Sequence, residues 1–495
     1  MIPFKLHACS SLIMAACTIA CGTAQAETDL TARPVEVRFG FERLQLPGSE
    51  TMGLVGGSYL VQIAPETVPG LLFGPAAYGA ITGQRGGFFT GGAELAWKKP
   101  LFARLSLETG LYVGGGGGGA AAVGGGLMLR PHIDLMWKFK QVSAGISASE
   151  VRFPNGSISS KQLGLVVAID DSFLFSSPSG IGQELTIGQR GGIGFDRISL
   201  VGGGYQPNSG VHNLAGAAYS GKLGYAGFRA DQFFSDNFYW GLESGAAVRG
   251  SADGYAEVLG LIGAEYPLGA NSRIGARVAL GMGGGGKVPV GGGALAKAGV
   301  YAKTYLSRDL YVALEGGLVD APNGSFKAKY LNLQLGLDLD SRLAAQRNIR
   351  GMDWEATGQH YLKAARYSGE RANLDTLGLK INRNITEHTY FSAQAHSAFS
   401  GHAGGYSVGL VGLGARTAFG GGYGGGAEVL AGAGGGGGVA SNGGALAQAL
   451  AYASYDIGRS ARIKLGLGRV HSFKGALDSN LIDLSLSFPL GVPGK

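Results

Sequence analysis

The chain has 495 residues, of which 92 are glycine and 15% are charged, and its formal net charge is +7. Soluble domains have about 25% charged residues, so this composition argues against an ordinary soluble enzyme. The glycines follow no three-residue period, which excludes collagen. A charge this small and dispersed gives no reason to expect nucleic acid as a partner.

Residues 1–26 have the features of a secretory signal peptide. Lys5 precedes an apolar core over 12–20, and Ala24 and Ala26 form a site for cleavage after Ala26. The leader contains all three cysteines, Cys9, Cys17 and Cys21. Lipid attachment at Cys21 is an alternative, although Thr18 replaces the usual leucine three residues earlier. We therefore predict an exported mature chain without disulfides, and we expect no cofactor and no metal site.

No later segment has 18 consecutive apolar residues, so the sequence predicts no transmembrane helix. Lipid offers no partner for backbone polar groups, and only helices and closed β-sheets can cross it. An exported, helix-poor chain of this kind is either a membrane β-barrel or a soluble secreted β protein.

Three copies of one unit follow the leader. Poly-glycine tracts recur at 114–119, 283–286 and 434–438, and the string Pro-Asn-Gly-Ser recurs at 154–157 and 322–325. Each unit ends in a run of alternating apolar residues. These markers recur in the same order, which indicates a repeated structural unit. We place the three β repeats at 27–171, 172–340 and 341–495.

Each repeat contains eight strand-like runs of 8–13 residues separated by turn residues. Alternation is clearest at 331–337, where every second residue is leucine and Asn332 and Gln334 lie between leucines. Side chains alternate between the two faces of a strand, so one face meets an apolar phase. Strands of roughly 9–11 residues with this pattern are typical of membrane barrels.

The four tryptophans favour the membrane interpretation over a soluble sandwich. Trp97, Trp137, Trp240 and Trp354 all lie beside connections that the alternation of short and long turns assigns to the periplasmic side. Aromatic residues collect at membrane interfaces, where the ring is apolar and its polar atom stays wet. We therefore predict that these tryptophans form an interface girdle.

With these features the mature chain resembles bacterial outer-membrane β-barrel proteins as a class. The resemblance implies an integral outer-membrane protein of a Gram-negative bacterium, with an all-β, antiparallel, up-and-down transmembrane barrel. The repeats predict about 24 strands in one barrel, because small inward residues such as Gly336 and Gly466 would leave a narrow barrel underpacked. Three eight-stranded barrels in series are the alternative. The sequence sets no oligomeric state.

A polar patch on the inward faces is the candidate functional site. The possible pore-lining residues are Lys380, His396, Arg462, Lys464, Arg469, Asp338 and Asp483. We predict a passive channel or export conduit for a solute or polymer, with outer-membrane lipid around it. The alternatives are a structural or surface-contact barrel with flexible glycine-rich extracellular loops, and a lipid-modifying enzyme.

No enzyme chemistry is expected from the histidines. Outer-membrane lipid deacylases use a His and a Ser two residues apart. Here His396-Ser397 and His471-Ser472 are adjacent pairs, which point to opposite faces of a strand. We therefore predict no catalytic residue.

Overall fold

Three separate β-barrels form the part of the chain that the computed structural model describes, residues 30–219, 221–458 and 460–494. The predicted signal peptide and the three cysteines lie outside these residues, so they stay predictions. Each barrel has eight antiparallel strands in chain order, which confirms the prediction of an all-β chain of three eight-strand repeats. No helix among the described residues is long and apolar enough to cross a membrane.

Hairpins join the strands of each barrel in sequence. Barrel 1 contains β1 (Thr31–Gln45), β2 (Thr51–Gln62), β3 (Leu71–Thr82), β4 (Phe89–Pro100), β5 (Leu105–Gly117), β6 (Met128–Lys138), β7 (Val142–Arg152) and β8 (Ser159–Phe175). A linker follows, with a short 3-10 turn (Pro178–Gly180) and strand β9 (Glu184–Leu185). Barrel 2 contains β10 (Arg197–Pro207), β11 (Leu223–Phe233), β12 (Phe238–Arg249), β13 (Ala256–Pro267), β14 (Ser272–Gly284), β15 (Ala294–Tyr305), β16 (Leu310–Asp320) and β17 (Lys327–Asp338). Barrel 3 contains β18 (Arg347–Ala365), β19 (Arg371–Asn384), β20 (Thr389–Ala398), β21 (Ser407–Gly420), β22 (Tyr423–Gly435), β23 (Ala445–Ile457), β24 (Ala461–Ser472) and β25 (Asp478–Gly494).

Each barrel closes on itself, because its last strand pairs with its own first strand. β8 pairs with β1, β17 with β10, and β25 with β18, in each case over more than half of the strand. The expected closure of all 24 strands into one wide barrel is therefore corrected to the alternative, three eight-stranded barrels in series.

Tyrosine rings explain why the narrow barrels are not underpacked. Inward glycines lie beside a buried tyrosine of the neighbouring strand, and a Cβ at the glycine would overlap the ring. The pairs are Gly56 with Tyr78, Gly263 with Tyr239, Gly275 with Tyr301, Gly336 with Tyr311, Gly414 with Tyr390 and Gly426 with Tyr452. Gly466 instead accommodates the side chain of Leu450. The space that a small residue leaves is thus filled by a large neighbour, as close packing requires.

A valine at Gly336 tests this complementarity. The Tyr311 ring lies against Gly336, so we expect Gly336→Val to destabilise the protein by about 1–3 kcal/mol, the usual cost of overpacking. The measurement is the urea midpoint of unfolding. Gly202→Val is the matched control, because Gly202 faces outward and a Cβ there meets no atom within 4 Å. An equal loss in both variants would contradict the role of the tyrosine.

Connections differ between the two ends of the barrels, as the sequence predicts. The distal end holds the hairpins that join strands 1–2, 3–4, 5–6 and 7–8 of each barrel, and the proximal end holds the other turns and the linkers between barrels. All four predicted girdle tryptophans, Trp97, Trp137, Trp240 and Trp354, lie toward the proximal end. Trp97 and Trp137 are exposed, whereas the other two are half-buried beside Phe195 and Phe173. Their role as an interface girdle stays a prediction.

The barrels turn their apolar side chains outward and their polar side chains inward. In β17, Leu331, Leu333 and Leu335 are 57%, 62% and 48% exposed, whereas Asn332 and Gln334 are buried inside. This distribution is the reverse of that in a soluble β-sandwich, whose leucines pack in the dry interior. It is the distribution that a barrel surrounded by hydrocarbon requires.

The three barrels form a closed ring in which each barrel contacts the other two. β3 of barrel 1 contacts β14 and β15 of barrel 2. β11 and β12 of barrel 2 contact β22 of barrel 3, and β19 and β20 of barrel 3 contact β4 and β5 of barrel 1. In each contact, the face around strand 3 of one barrel meets the face around strand 5 of the next barrel. Two different faces therefore meet in every contact, which makes the contacts heterologous, and the ring closes after three barrels.

The linkers join the barrels at the proximal end. Ser176, just after β8, exchanges two backbone hydrogen bonds of 2.8 and 2.9 Å with Gly491 of β25. The buried Arg347 guanidinium, at the start of β18, binds the Asp340 carboxylate at 2.9 Å and the carbonyl oxygens of Ser341 and Ala344. The proximal end therefore holds the barrels together through backbone and side-chain contacts of the linkers.

Candidate functional sites in the barrel interiors and at the seams

Barrel 2 is filled by a network of buried ion pairs that crosses its lumen. Glu243 lies 2.9 Å from Arg229, 2.8 Å from Arg277 and 2.7 Å from Lys297. Glu315 lies 2.8 Å from Arg229 and 2.7 Å from Arg277. These side chains come from five different strands and are at most 2% exposed. The network therefore connects walls of the barrel that share no backbone hydrogen bonds.

Barrel 1 contains a second network, which surrounds Arg38. The guanidinium lies 3.0 Å from Glu94 and also contacts Glu108. The His132 ring lies 3.2 Å from Glu94 and 3.0 Å from Asp134. A cavity of about 30 Å³ adjoins these groups. A buried water needs about 10–15 Å³ of such space, so the cavity has room for water.

Barrel 3 has fewer buried charges than barrel 2, and each of its buried charged groups has a partner. Lys380 lies 2.8 Å from Glu428, and Lys464 contacts Glu355. The Asp483 carboxylate accepts hydrogen bonds from three neutral side chains, Thr357 at 2.9 Å, Gln359 at 3.0 Å and Ser485 at 2.7 Å. An eight-stranded barrel has room for side chains alone, and these networks use it.

Four of the predicted pore-lining residues lie together inside barrel 3. They are Lys380, His396, Lys464 and Asp483, all buried. Asp338 lies at the proximal end of barrel 2 and accepts a hydrogen bond of 2.9 Å from the Tyr305 hydroxyl. That these residues line a conducting path stays a prediction.

The two remaining residues of that set lie elsewhere on β24. Arg462 is half-buried at the proximal end and binds Asp456 at 2.6 Å. Arg469 is corrected, because it lies on the outer face with Leu465 and Leu467 and binds Asp478 at 2.6 Å. Positions 464 and 469 differ by five, so a regular strand turns them to opposite faces.

The adjacent His-Ser pairs point to opposite faces, as predicted. His396 is buried inside barrel 3, whereas Ser397 is half-buried and contacts Ser407 at 2.9 Å. His471 is exposed and Ser472 is buried. Among the described residues, no cluster of three or more histidine, cysteine or acidic side chains could hold a metal ion.

Glycine-rich hairpins form the seams between barrels at the distal end. The hairpin between strands 3 and 4 carries Gly-Gly-Phe at 86–88, Asp-Gly-Tyr at 253–255 and Gly-Gly-Tyr at 404–406, with the aromatic ring buried in its own barrel. In each seam this hairpin lies against the hairpin between strands 5 and 6 of the neighbouring barrel, which contains the poly-glycine tract. This recurring tripeptide is a sequence signal from which the seams were predictable.

Direct backbone contact in the seams requires glycine. The Gly86 amide donates a hydrogen bond of 2.9 Å to the Gly291 carbonyl, and the Gly404 amide donates one of 3.1 Å to the Gly124 carbonyl. A Cβ at Gly405 would come within 2.9 Å of the Gly118 nitrogen. The glycine tracts therefore allow close approach of two barrels, and the expectation that they form flexible loops is corrected.

The seam between barrels 2 and 3 adds side-chain hydrogen bonds. Asp253 accepts a hydrogen bond of 3.0 Å from Ser441 and another from the Tyr367 hydroxyl. Partial burial and the neighbouring Asp253 carboxylate raise the pKa of Tyr367 to about 12. The phenol therefore keeps its proton at neutral pH and remains a donor.

Comparisons with known proteins found solved structures that align with this chain at low identity and low TM-score. No family model matches the chain, and no curated protein matches it. OpdQ of Pseudomonas aeruginosa is 9% identical, with 94% of this chain and 100% of that chain covered and a TM-score of 0.22. OccAB3 of Acinetobacter baumannii is 9% identical, with coverage of 93% and 99% and a TM-score of 0.21. The KdgM porin is 8% identical, with coverage of 59% and 98% and a TM-score of 0.16. Likeness this weak carries no conclusion about function.

The architecture itself defines the class. Closed antiparallel barrels with leucines outside and charged pairs inside are those of outer-membrane β-barrel proteins. This confirms the class that the sequence resembles.

Proposed function

We propose that the protein is a non-enzymatic structural protein of the bacterial outer membrane, exported by its leader and held in lipid by three plugged barrels. The ring of barrels forms one rigid platform whose distal hairpins face the outside of the cell. A structural barrel with glycine-rich extracellular loops was one of the alternatives that the sequence left open. The difference is that the poly-glycine tracts contact neighbouring barrels.

The observation that carries the proposal is the network around Glu243. It joins five strands across barrel 2 and is almost completely buried. Charges enclosed in a lumen need partners, and these partners occupy the space that a solute would need. Barrels 1 and 3 contain networks of the same kind.

The test is conductance in planar bilayers. We expect no ion current from protein whose folding is verified by its β-type circular dichroism and its resistance to unfolding in cold detergent. Reproducible single-channel steps that disappear when the protein is unfolded first would contradict the structural proposal.

A passive channel for small solutes is the second candidate. Its place would be barrel 1, where a cavity of about 30 Å³ lies beside Arg38, Arg130 and His132 and would have to widen to pass a solute. The same conductance measurement decides between the two candidates. A current that Arg38→Ala or His132→Ala changes would support the channel and would place it in barrel 1.

A further inference from the structure

The outer wall of barrel 2 carries an apolar groove that the proposed function leaves unused. The groove has a volume of about 590 Å³ and crosses β12 to β16. Its rims are the exposed side chains of Phe238, Ile262, Val278 and Val300. Its floor consists of small residues, Ala264, Ala276, Ala298 and Gly316. No charged side chain enters it, because Arg277 points into the lumen, where it binds Glu243 and Glu315.

Each of the other two barrels has a large side chain at one of the equivalent floor positions. Ala264 is the ninth residue after the seam aromatic Tyr255, and in barrel 1 the ninth residue after Phe88 is Trp97. Trp97 is 41% exposed on the outer wall. A tryptophan thus occupies in barrel 1 the position that is part of the groove floor in barrel 2.

Barrel 3 differs at the second small position of the floor. Gly316 pairs with Val300, which is the fifth residue after Leu295. In barrel 3 the fifth residue after the matching Leu446 is Ala451, and it pairs with Leu467. Leu467 is 67% exposed, so it covers the wall where Gly316 leaves space. Barrel 2 therefore combines small residues at both positions, whereas barrels 1 and 3 each have a large residue at one of them.

We propose that this groove is a lipid-binding site that holds one hydrocarbon chain of a membrane lipid. The inference rests on the membrane location given in the proposed function. The groove is open on its outer side, which suits a single flexible chain lying along the wall, and a protein partner would need a larger interface. A concave wall in lipid loses dispersion contacts unless a flexible chain fills it. The lining has no group for a polar headgroup, so the site recognises the hydrocarbon.

The test uses substitutions that the chain itself provides. Ala264→Trp and Gly316→Leu copy barrels 1 and 3, so we expect the double variant to fold. Native mass spectrometry of the detergent-purified protein should show one retained phospholipid per wild-type chain and none in the double variant. A phospholipid with a diazirine in its acyl chain should label peptides from β13–β16 in the wild-type protein, and the variant should lose this labelling.

Gly202→Leu is the matched control. It adds a leucine to an open position on the outer wall of the same barrel, so it should keep the lipid and the labelling. Equal lipid retention and labelling in the wild type and the double variant would overturn the site, as would a wild type that retains none. A chain that is monodisperse in buffer without detergent would instead refute the membrane location, so the two failures are distinguishable.

Discussion

Replacing Glu243 with glutamine is expected to destabilise the protein by about 3–5 kcal/mol, the cost of removing one member of a buried ion-pair network. The carboxylate contacts Arg229, Arg277 and Lys297. After the change, both arginines share the single carboxylate of Glu315. Glutamine has nearly the same size as glutamate, so the loss reports charge and not packing. The measurement is the urea midpoint of unfolding in detergent micelles, with tryptophan fluorescence as the signal that reports unfolding.

Glu150→Gln is the matched control for this prediction. Glu150 binds Arg152 at 2.5 Å near the distal end of barrel 1, where the arginine side chain is 57% exposed. Exposed ion pairs contribute about 0–1 kcal/mol, so the midpoint should hardly change. Comparable losses in the two variants would show that the lumen of barrel 2 is hydrated, and the plugged-barrel interpretation would then fail.

Hairpins and strand faces were predictable from the sequence, because both depend on neighbouring residues. Alternation with a period of two assigns each residue of a regular strand to a face, and Leu331 and Asn332 lie on the predicted faces. Turn residues mark where one strand ends and the next begins. The prediction for Arg469 failed because it did not follow the same count along β24.

Closure into three barrels could not be predicted in the same way. It depends on pairing between β1 and β8, whose partners are more than 120 residues apart, as in Glu42 with Gly164. The prediction of one wide barrel treated each small inward residue alone. It missed that Tyr311, on the strand beside Gly336, fills the space that the glycine leaves.

The sequence contains a pattern from which the interior ion-pair networks were predictable. Glu243, Arg277 and Lys297 all occupy inward positions of strands whose outward positions are apolar or small. Charges of both signs at such positions predict pairs that close a lumen, whereas the predicted pore-lining residues were mainly the basic residues of the third repeat. The partner of each charged residue depends on how the barrel closes. The individual pairs were therefore visible only in the structure.

Disruption of a seam is expected to separate two barrels locally. Gly87→Val tests this for the seam between barrels 1 and 2. Gly87 has a φ of +88°, and a Cβ there would overlap the backbone of Gly284 and Gly285 in the neighbouring barrel. We expect the hairpin to withdraw and the bond from the Gly86 amide to the Gly291 carbonyl to break. Hydrogen exchange should accelerate in residues 83–88 and 285–293, with the interiors of both barrels unchanged.

Gly210→Val separates this effect from backbone strain. Gly210 also has a φ of +88°, but a Cβ there meets no atom within 4 Å. Valine in this left-handed conformation costs at least about 1–2 kcal/mol at either position, because Cβ approaches the following carbonyl. Only Gly87→Val adds the overlap between barrels, so only that variant should open the seam. If both variants leave the exchange of residues 285–293 unchanged, the glycine contact does not hold the two barrels together, and the linkers at the proximal end are sufficient.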